Sequence, residues 1–154
     1  MAKKKETKYK QGRFTPRNPK KYRGDPTQIF YRSGWEKKMM EFCDNSDTVI
    51  NWSSEEIIIP YISPIDNRRH RYFPDFYMEA VGKDGKPKSI LIEIKPKSQT
   101  QEPKKPKRRT KQYITEVVTW GINQAKWRAA EEYCIDRGWE FQIMTESDIF
   151  RKEN

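Results

Sequence analysis

The sequence predicts an α/β domain in which helices flank a mixed β-sheet. Two segments, 33–44 and 110–137, carry apolar residues at the spacing of three or four that is typical of helices. The segments between and after them are short runs of β-branched and aromatic residues bounded by Gly and Pro, as expected of strands. The predicted order is helix, strands, helix, strand, and 154 residues is the length of one domain.

The positive charge of the chain is concentrated in two segments. Of a net charge of +10, residues 1–23 carry +9 and residues 97–111 carry +6, which leaves −5 for the rest. Basic segments of this kind bind nucleic acid by releasing counterions from phosphates. Because residues 1–25 show no periodicity, we expect a basic, disordered tail there and a folded domain over 26–154. Such a tail also fits a role in solubility or in docking on an acidic protein.

The cysteine and histidine content excludes several classes of protein. Cys43 and Cys134 both lie in helical patterns and are expected to be buried, reduced thiols. His70 is the only histidine, which excludes zinc fingers and nucleases that use a histidine base. No apolar run is long enough to span a membrane and no signal peptide is present, so we expect a cytoplasmic protein.

The first helix is predicted from Ser33 to Asp44. Ser33 and Glu36 are spaced as in a capping box, in which both side chains bind free amides at the start of the helix. One or two strands follow over 49–61, with Ile57–Ile59 as a buried run ended by Pro60. A turn at Asp66 and Asn67 then leads into the strand that carries Asp75.

Residues 71–95 are predicted to form an antiparallel hairpin with its turn at Val81–Lys86. Because side chains alternate along a strand, Ile90, Ile92 and Ile94 share one face, which we expect to be buried. The opposite faces of the two strands would carry Arg71, Phe73, Asp75 and Tyr77 on the first, and Leu91, Glu93 and Lys95 on the second. A hairpin register that brings Asp75 beside Glu93 would place two carboxylates and an amine together.

Two adjacent carboxylates with room for water are suited to Mg²⁺ or Mn²⁺. Lys95 on the same face is placed to hold an attacking water or a phosphate oxygen. The same three residues are also typical of a solvated ladder of ion pairs on an exposed sheet face.

The remainder of the chain is predicted to be a loop, a long helix, a strand and a short helix. Residues 96–111 form a long, basic, proline-containing loop that starts at the proposed site and is placed to close over DNA. The helix over 110–137 ends at Gly138, in a C-cap position. Trp139–Met144 is the last strand, and Thr145 caps a helix that runs through Phe150.

Pro74-Asp75 followed by Glu93-Ile94-Lys95 resembles the motif of the PD-(D/E)xK nucleases, and the resemblance extends over essentially the whole chain. It implies the restriction-endonuclease-like fold with an αβββαβ core, and the chain is similar to the transposon-type endonucleases within that family. In those enzymes a Glu on the first helix reaches the metal, and Glu36 matches that position. A single Glu does not easily serve as both cap and ligand.

The resemblance implies a role for each candidate residue. The expected catalytic residues are Glu36, Asp75, Glu93 and Lys95. The expected ligands of the metal, Mg²⁺ or alternatively Mn²⁺, are Glu36, Asp75, Glu93 and the backbone carbonyl of Ile94. Gln124 and Lys126 lie where the family places helper residues. The predicted DNA-binding residues are Lys3, Lys4, Lys5, Lys97, Lys104, Lys105, Lys107, Arg108, Arg109 and Lys111.

The function implied is a Mg²⁺-dependent DNA endonuclease of a bacteriophage that processes DNA ends as filled heads are completed. Its expected partners are DNA and the portal or head-closing proteins, with no membrane, and its expected locations are the virion and the host cytoplasm. Two alternatives stay open: a non-catalytic module that binds DNA ends or the portal, and a basic RNA-binding protein.

Overall fold

A computed structural model describes residues 11–149 of the chain. None of its helices is both long enough and apolar enough to cross a membrane, within those residues. The strands are β1 (Gly12–Arg13), β2 (Phe30–Tyr31), β3 (Val49–Ser54), β4 (Ile59–Ile62), β5 (Arg69–Tyr72), β6 (Phe76–Val81), β7 (Pro87–Ile94) and β8 (Glu140–Met144). The α-helices are α1 (Gly34–Asn45), α2 (Lys111–Arg137) and α3 (Glu146–Ile149), and a 3₁₀ turn covers Lys97–Thr100.

The central sheet has four strands in the order β3-β6-β7-β8. β3, β6 and β7 pair antiparallel, and β8 joins β7 in parallel after the crossover through α2. Leaving aside the separate strand pairs β1-β2 and β4-β5 and the short helix α3, the order along the chain is α1, β3, β6, β7, α2, β8. The predicted mixed sheet with flanking helices is therefore confirmed.

Each face of the sheet is covered by apolar side chains. Ile92 and Ile94 belong to a core cluster that includes Met40 of α1 and Trp52 of β3. Leu91, on the opposite face, belongs to a second cluster with helix α2. That second face is the one that carries Glu93, so it is covered by a helix and is not an open surface.

Local signals in the sequence set the ends of the helices correctly. The Ser33 hydroxyl accepts the amide of Glu36, and the Thr110 hydroxyl accepts that of Tyr113. Helix α2 ends at Gly138, whose φ of 70° is in the left-handed region that glycine adopts without strain. The turn at residues 82–86 also lies where predicted, between β6 and β7.

Both cysteines are free and buried, as predicted. Burial raises the pKa of the Cys43 thiol to about 12 and that of the Cys134 thiol to about 11. Both thiols therefore stay protonated at neutral pH.

Two strand predictions are wrong. The single strand expected over 71–77 is two strands, because the chain leaves β5 after Tyr72 and enters β6 only at Phe76, past Pro74. The isoleucine run is not a buried strand: Ile58 is 47% exposed, and β4 begins at Ile59 and continues through Pro60. Pro60 is tolerated because β4 pairs with β5 alone, so one of its edges needs no amide donor.

The predicted tail over 1–25 is also wrong for residues 11–25, and the folded domain does not begin at 26. Phe14 and Tyr22 are buried against Trp52. The buried carboxylate of Asp44 accepts the backbone amides of Arg17 and Asn18 at 2.8 and 2.9 Å. Each such charged hydrogen bond stabilises the folded state by about 1.5–3 kcal/mol, which helps to hold a segment without periodicity against the domain. Residues 1–10 lie outside the described residues.

Candidate active site

The end of the β6-β7 hairpin brings Asp75 and Glu93 together. Phe76 pairs with Ile92 in the antiparallel register, so the next step along the two strands puts Asp75 opposite Glu93. The carboxylate of Asp75 reaches across and accepts the backbone amide of Ile94 at 2.7 Å. Asp75 is therefore fixed at the strand end, where the layers of α1 and α2 both approach the sheet.

Glu93 is a buried carboxylate with a partner on each oxygen. Its Oε2 accepts the hydroxyl of Tyr72 at 2.6 Å, and its Oε1 lies 3.6 Å from the ammonium of Lys95. The Glu93 residue is only 6% exposed, whereas the side chain of Lys95 is 27% exposed. A solvated ladder of surface ion pairs would not be buried in this way.

Burial and mutual repulsion make ionisation of this pair of carboxyl groups unfavourable. Burial first, and then the charge of Glu93, raises the pKa of Asp75 well above its usual value, against the opposing effect of the Ile94 amide. Burial also raises the pKa of Glu93, while the Tyr72 hydroxyl and the Lys95 ammonium hold it down. A cation between the two oxygens would remove the cost of ionising both groups.

Glu36 serves as a helix cap and also faces the site. Its Oε2 accepts the backbone amide of Arg32 at 2.9 Å, one residue before the position that a capping box uses. Burial raises the pKa of Glu36, and the charge of Glu36 in turn raises the pKa of Asp75. Glu36, Ile94 and Lys95 line one cleft of about 490 Å³. The structure thus brings Glu36 to the site without releasing it from the cap.

Of the two predicted helper residues on α2, one reaches the site. The ammonium of Lys126 lies 5.6 Å from the centre of the Tyr72 ring, and burial, followed by the charge of Lys95, lowers the pKa of Lys126. Gln124 is exposed on another side of the helix, so the prediction for it is wrong. A helix turns about 100° per residue, and the buried neighbour on the inner side is Asn123.

The predicted DNA-binding residues of the loop are all exposed. The loop contains the 3₁₀ turn, and its last residue, Lys111, is the first residue of α2. The seven cations in this set are Lys97, Lys104, Lys105, Lys107, Arg108, Arg109 and Lys111. None of them forms an ion pair with a carboxylate of the described residues. Lys3, Lys4 and Lys5 lie outside the described residues.

Two residues near the site were not predicted from the sequence. Tyr72 belongs to a different sheet from Glu93, and only the break at Pro74 turns its hydroxyl toward that carboxylate. Glu55, with a φ of 53° just past β3, donates its amide to the carbonyl of Asp75 at 3.1 Å. Its carboxylate pairs with Arg32 at 3.0 Å. No signal in the sequence marks either residue.

The carboxylates of residues 11–149 form no ready-made cage of three ligands for a metal ion. The donors present are the Asp75 and Glu93 pair, with Glu36 in the cleft that Ile94 and Lys95 also line. The two hard, anionic groups at the strand ends are the kind of donor that Mg²⁺ takes while keeping several of its waters.

Comparison with known proteins shows the family. A family model described as "TnsA-like endonuclease N terminal" matches residues 46–146, about two thirds of the chain. The chain belongs to the TnsA-like endonuclease family. It is also 42% identical over 142 residues to the "Head completion nuclease" of Enterobacteria phage T4, in an alignment that covers 90% of this chain and 92% of that protein. The resemblance to transposon-type endonucleases is therefore confirmed.

The match to the TnsA-like endonucleases includes most of the site. Asp75, Glu93, Lys95 and Lys126 all lie within the matched residues 46–146, whereas Glu36 precedes them. The segment that the family model describes therefore carries the hairpin carboxylates and the α2 lysine, and helix α1 supplies Glu36 from outside it.

Proposed function

We propose that this chain is a divalent-metal-dependent DNA endonuclease that processes DNA ends during phage head completion. The observation that carries the proposal is the partly buried Asp75 next to the buried Glu93, with Lys95 beside them, in a chain of an endonuclease family. The phage role rests on the name of the T4 relative. It suggests the virion and the host cytoplasm as locations, with DNA and the portal or head-closing proteins as partners.

The residues present fit a divalent cation. Asp75 and Glu93 would hold it, and Glu36 and the Ile94 carbonyl, from the cleft that Lys95 also lines, would be further donors. Burial raises the pKa of both hairpin carboxyls, and a cation beside them would favour their ionised forms. Mg²⁺, or Mn²⁺ in its place, polarises the phosphodiester and lowers the pKa of a bound water when it is present.

Side chains of the protein itself orient Glu93, stabilise the transition state and bind the phosphate backbone. Tyr72 holds the Glu93 carboxylate in one orientation, because its hydroxyl donates to one of the two oxygens. Lys95 and Lys126 place two ammonium groups near the carboxylates, where they favour the additional negative charge of the transition state. The exposed cations of residues 97–111 bind the phosphate backbone without reading its sequence.

The test compares wild type with Lys95→Ala on branched, linear and single-stranded DNA, with and without Mg²⁺. Lys88→Ala is a matched control, because Lys88 lies on β7, the strand that ends just before Lys95, with an exposed side chain next to Glu140. We expect cutting only with metal, loss of cutting in Lys95→Ala with DNA binding retained, and wild-type cutting by Lys88→Ala. Cutting by Lys95→Ala at the wild-type rate would exclude Lys95 from the site. Binding without nicking of any substrate by wild type would favour a non-catalytic DNA-end module.

A further inference from the structure

A second cavity lies next to the candidate active site, between the basic loop and α2. It has a volume of about 470 Å³, within the range of roughly 300–1,000 Å³ in which small-molecule sites fall. Ser98 and Gln99 line both this cavity and the cleft that contains Lys95. A group held in the cavity would therefore be one short 3₁₀ turn away from the proposed point of cleavage.

The inner wall of this cavity includes Asn123, a buried residue whose side-chain amide has no hydrogen-bond partner among the described residues. Asn123 is only 5% exposed, the lowest of the lining residues, and its side chain lines the cavity. Neither polar atom of that side chain is hydrogen bonded to any residue of the described range. These atoms are not among the fully buried unpaired atoms of the described residues, so they are accessible from the cavity and free to bind a group that enters it.

The rest of the lining has the chemistry that recognises a nucleobase. Gln99 and Gln101 bring two more amides, which, like Asn123, carry a donor and an acceptor on one planar group. Paired donors and acceptors are what the edges of bases present. Trp120 adds an aromatic ring, held in a T-shaped contact with Trp127 at 6.3 Å, and aromatic rings stack on every base.

The lining of the cavity carries one cation, Lys104, and two carboxylates, Glu102 and Glu116, so the positive charge lies beside the cavity and not within it. The neighbouring cations of the loop are exposed and form no ion pairs among the described residues. Phosphates on either side of a base in the cavity would meet these cations. A base stacked and paired within a duplex cannot enter such a cavity, so its occupant must be unpaired.

We propose that the cavity between residues 98–104 and α2 binds one unpaired nucleobase of the DNA substrate, through Asn123 and the ring of Trp120. The proposal rests on the proposed nuclease function and narrows its substrate class. The preferred DNA has a single-stranded extension, a flap or a fork beside the duplex that is cut. A blunt duplex leaves the cavity without a base.

The test is binding of fluorescently labelled DNA in EDTA, where no metal-dependent cutting takes place. Two probes share one duplex sequence, and only one of them carries a short single-stranded extension. We expect Asn123→Ala to weaken binding of the extended probe by about tenfold and to leave the blunt probe unchanged. Gln124→Ala, one residue along the same helix and exposed, is the control and should bind both probes as wild type does.

Gln101→Ala is a second test of the cavity that does not depend on the folding of Asn123→Ala, because Gln101 is an exposed loop residue. It should weaken binding of the extended probe severalfold, again without effect on the blunt one. Equal loss on both probes, or no loss on either, would overturn the proposal.

The failure of the nuclease proposal would look different. If wild type cuts no DNA but Asn123→Ala still weakens binding of the extended probe alone, the cavity proposal is supported and the nuclease proposal is contradicted. If wild type cuts DNA but the Asn123 and Gln101 variants show no selective loss on the extended probe, the nuclease proposal is supported and the cavity proposal is contradicted.

Discussion

Replacing Tyr72 by Phe tests whether the buried hydroxyl sets the charge state of the site. The change removes one hydrogen bond of 2.6 Å to Glu93 and leaves the ring in place. A hydrogen bond to a charged group contributes about 1.5–3 kcal/mol, and one pH unit of pKa corresponds to 1.36 kcal/mol. Because the Tyr72 hydroxyl lowers the pKa of the Glu93 carboxyl, that pKa should rise further when the hydroxyl is removed.

A higher pKa makes the ionised form of Glu93 scarcer at neutral pH. We expect Mg²⁺ to bind Tyr72→Phe more weakly at pH 7 and to regain affinity as the pH is raised. The pH at which binding and cutting are half-maximal should move upward by about one to two units. Calorimetric titration with Mg²⁺ at a series of pH values measures the first, and a pH profile of DNA nicking measures the second.

Tyr61→Phe is the matched control. It removes the same hydroxyl from a ring that also lies under the Lys126 ammonium, at 5.9 Å, but that makes no hydrogen bond to Glu93. Its pH profile should match that of wild type. Identical midpoints in Tyr72→Phe and wild type would refute the idea that Tyr72 controls the charge of Glu93.

Two further predictions follow from the carboxylates. Glu36→Gln keeps an oxygen for the Arg32 amide but removes the charge, so it should weaken Mg²⁺ binding and cutting with little change in stability. Ser33→Ala should lower the free energy of unfolding by about 1 kcal/mol, measured with denaturant, and leave Mg²⁺ binding and cutting unchanged. If Glu36→Gln lowers stability alone, Glu36 is only a helix cap. In EDTA, Asp75→Asn should be more stable than wild type at neutral pH, because the raised pKa means that ionising Asp75 opposes folding. This advantage should disappear below about pH 4, where the unfolded chain also holds the proton; unfolding that shows no such pH dependence would contradict it.

Part of this fold was predictable because its signals are local. Ser33, Thr110 and Gly138 act on backbone groups within a few residues, so they mark the helix ends in the sequence itself. Alternation of side chains assigned Ile92 and Ile94 to one face of the sheet and Glu93 to the other. The same two-residue period made a register with Asp75 beside Glu93 one option, and the pairing of Phe76 with Ile92 in the structure fixed it.

Other features depend on contacts between distant segments, and no local pattern reports them. Residues 11–25 looked like a tail because they lack periodicity, yet the Asp44 carboxylate, 26 and 27 residues further along, accepts two of their amides. The break at Pro74 moved Tyr72 into another sheet.

The sequence by itself determined the helices, their caps and the charged residues of the hairpin, since each of these follows from the properties of near neighbours. Only the tertiary structure decided how that chemistry is arranged. The packing of α2 selected Lys126 over Gln124 for the site, buried Asn123 in a cavity and covered the face that carries Glu93. The reason is physical: burial and the charges of distant groups determine pKa values and unpaired donors, and both depend on which surfaces meet.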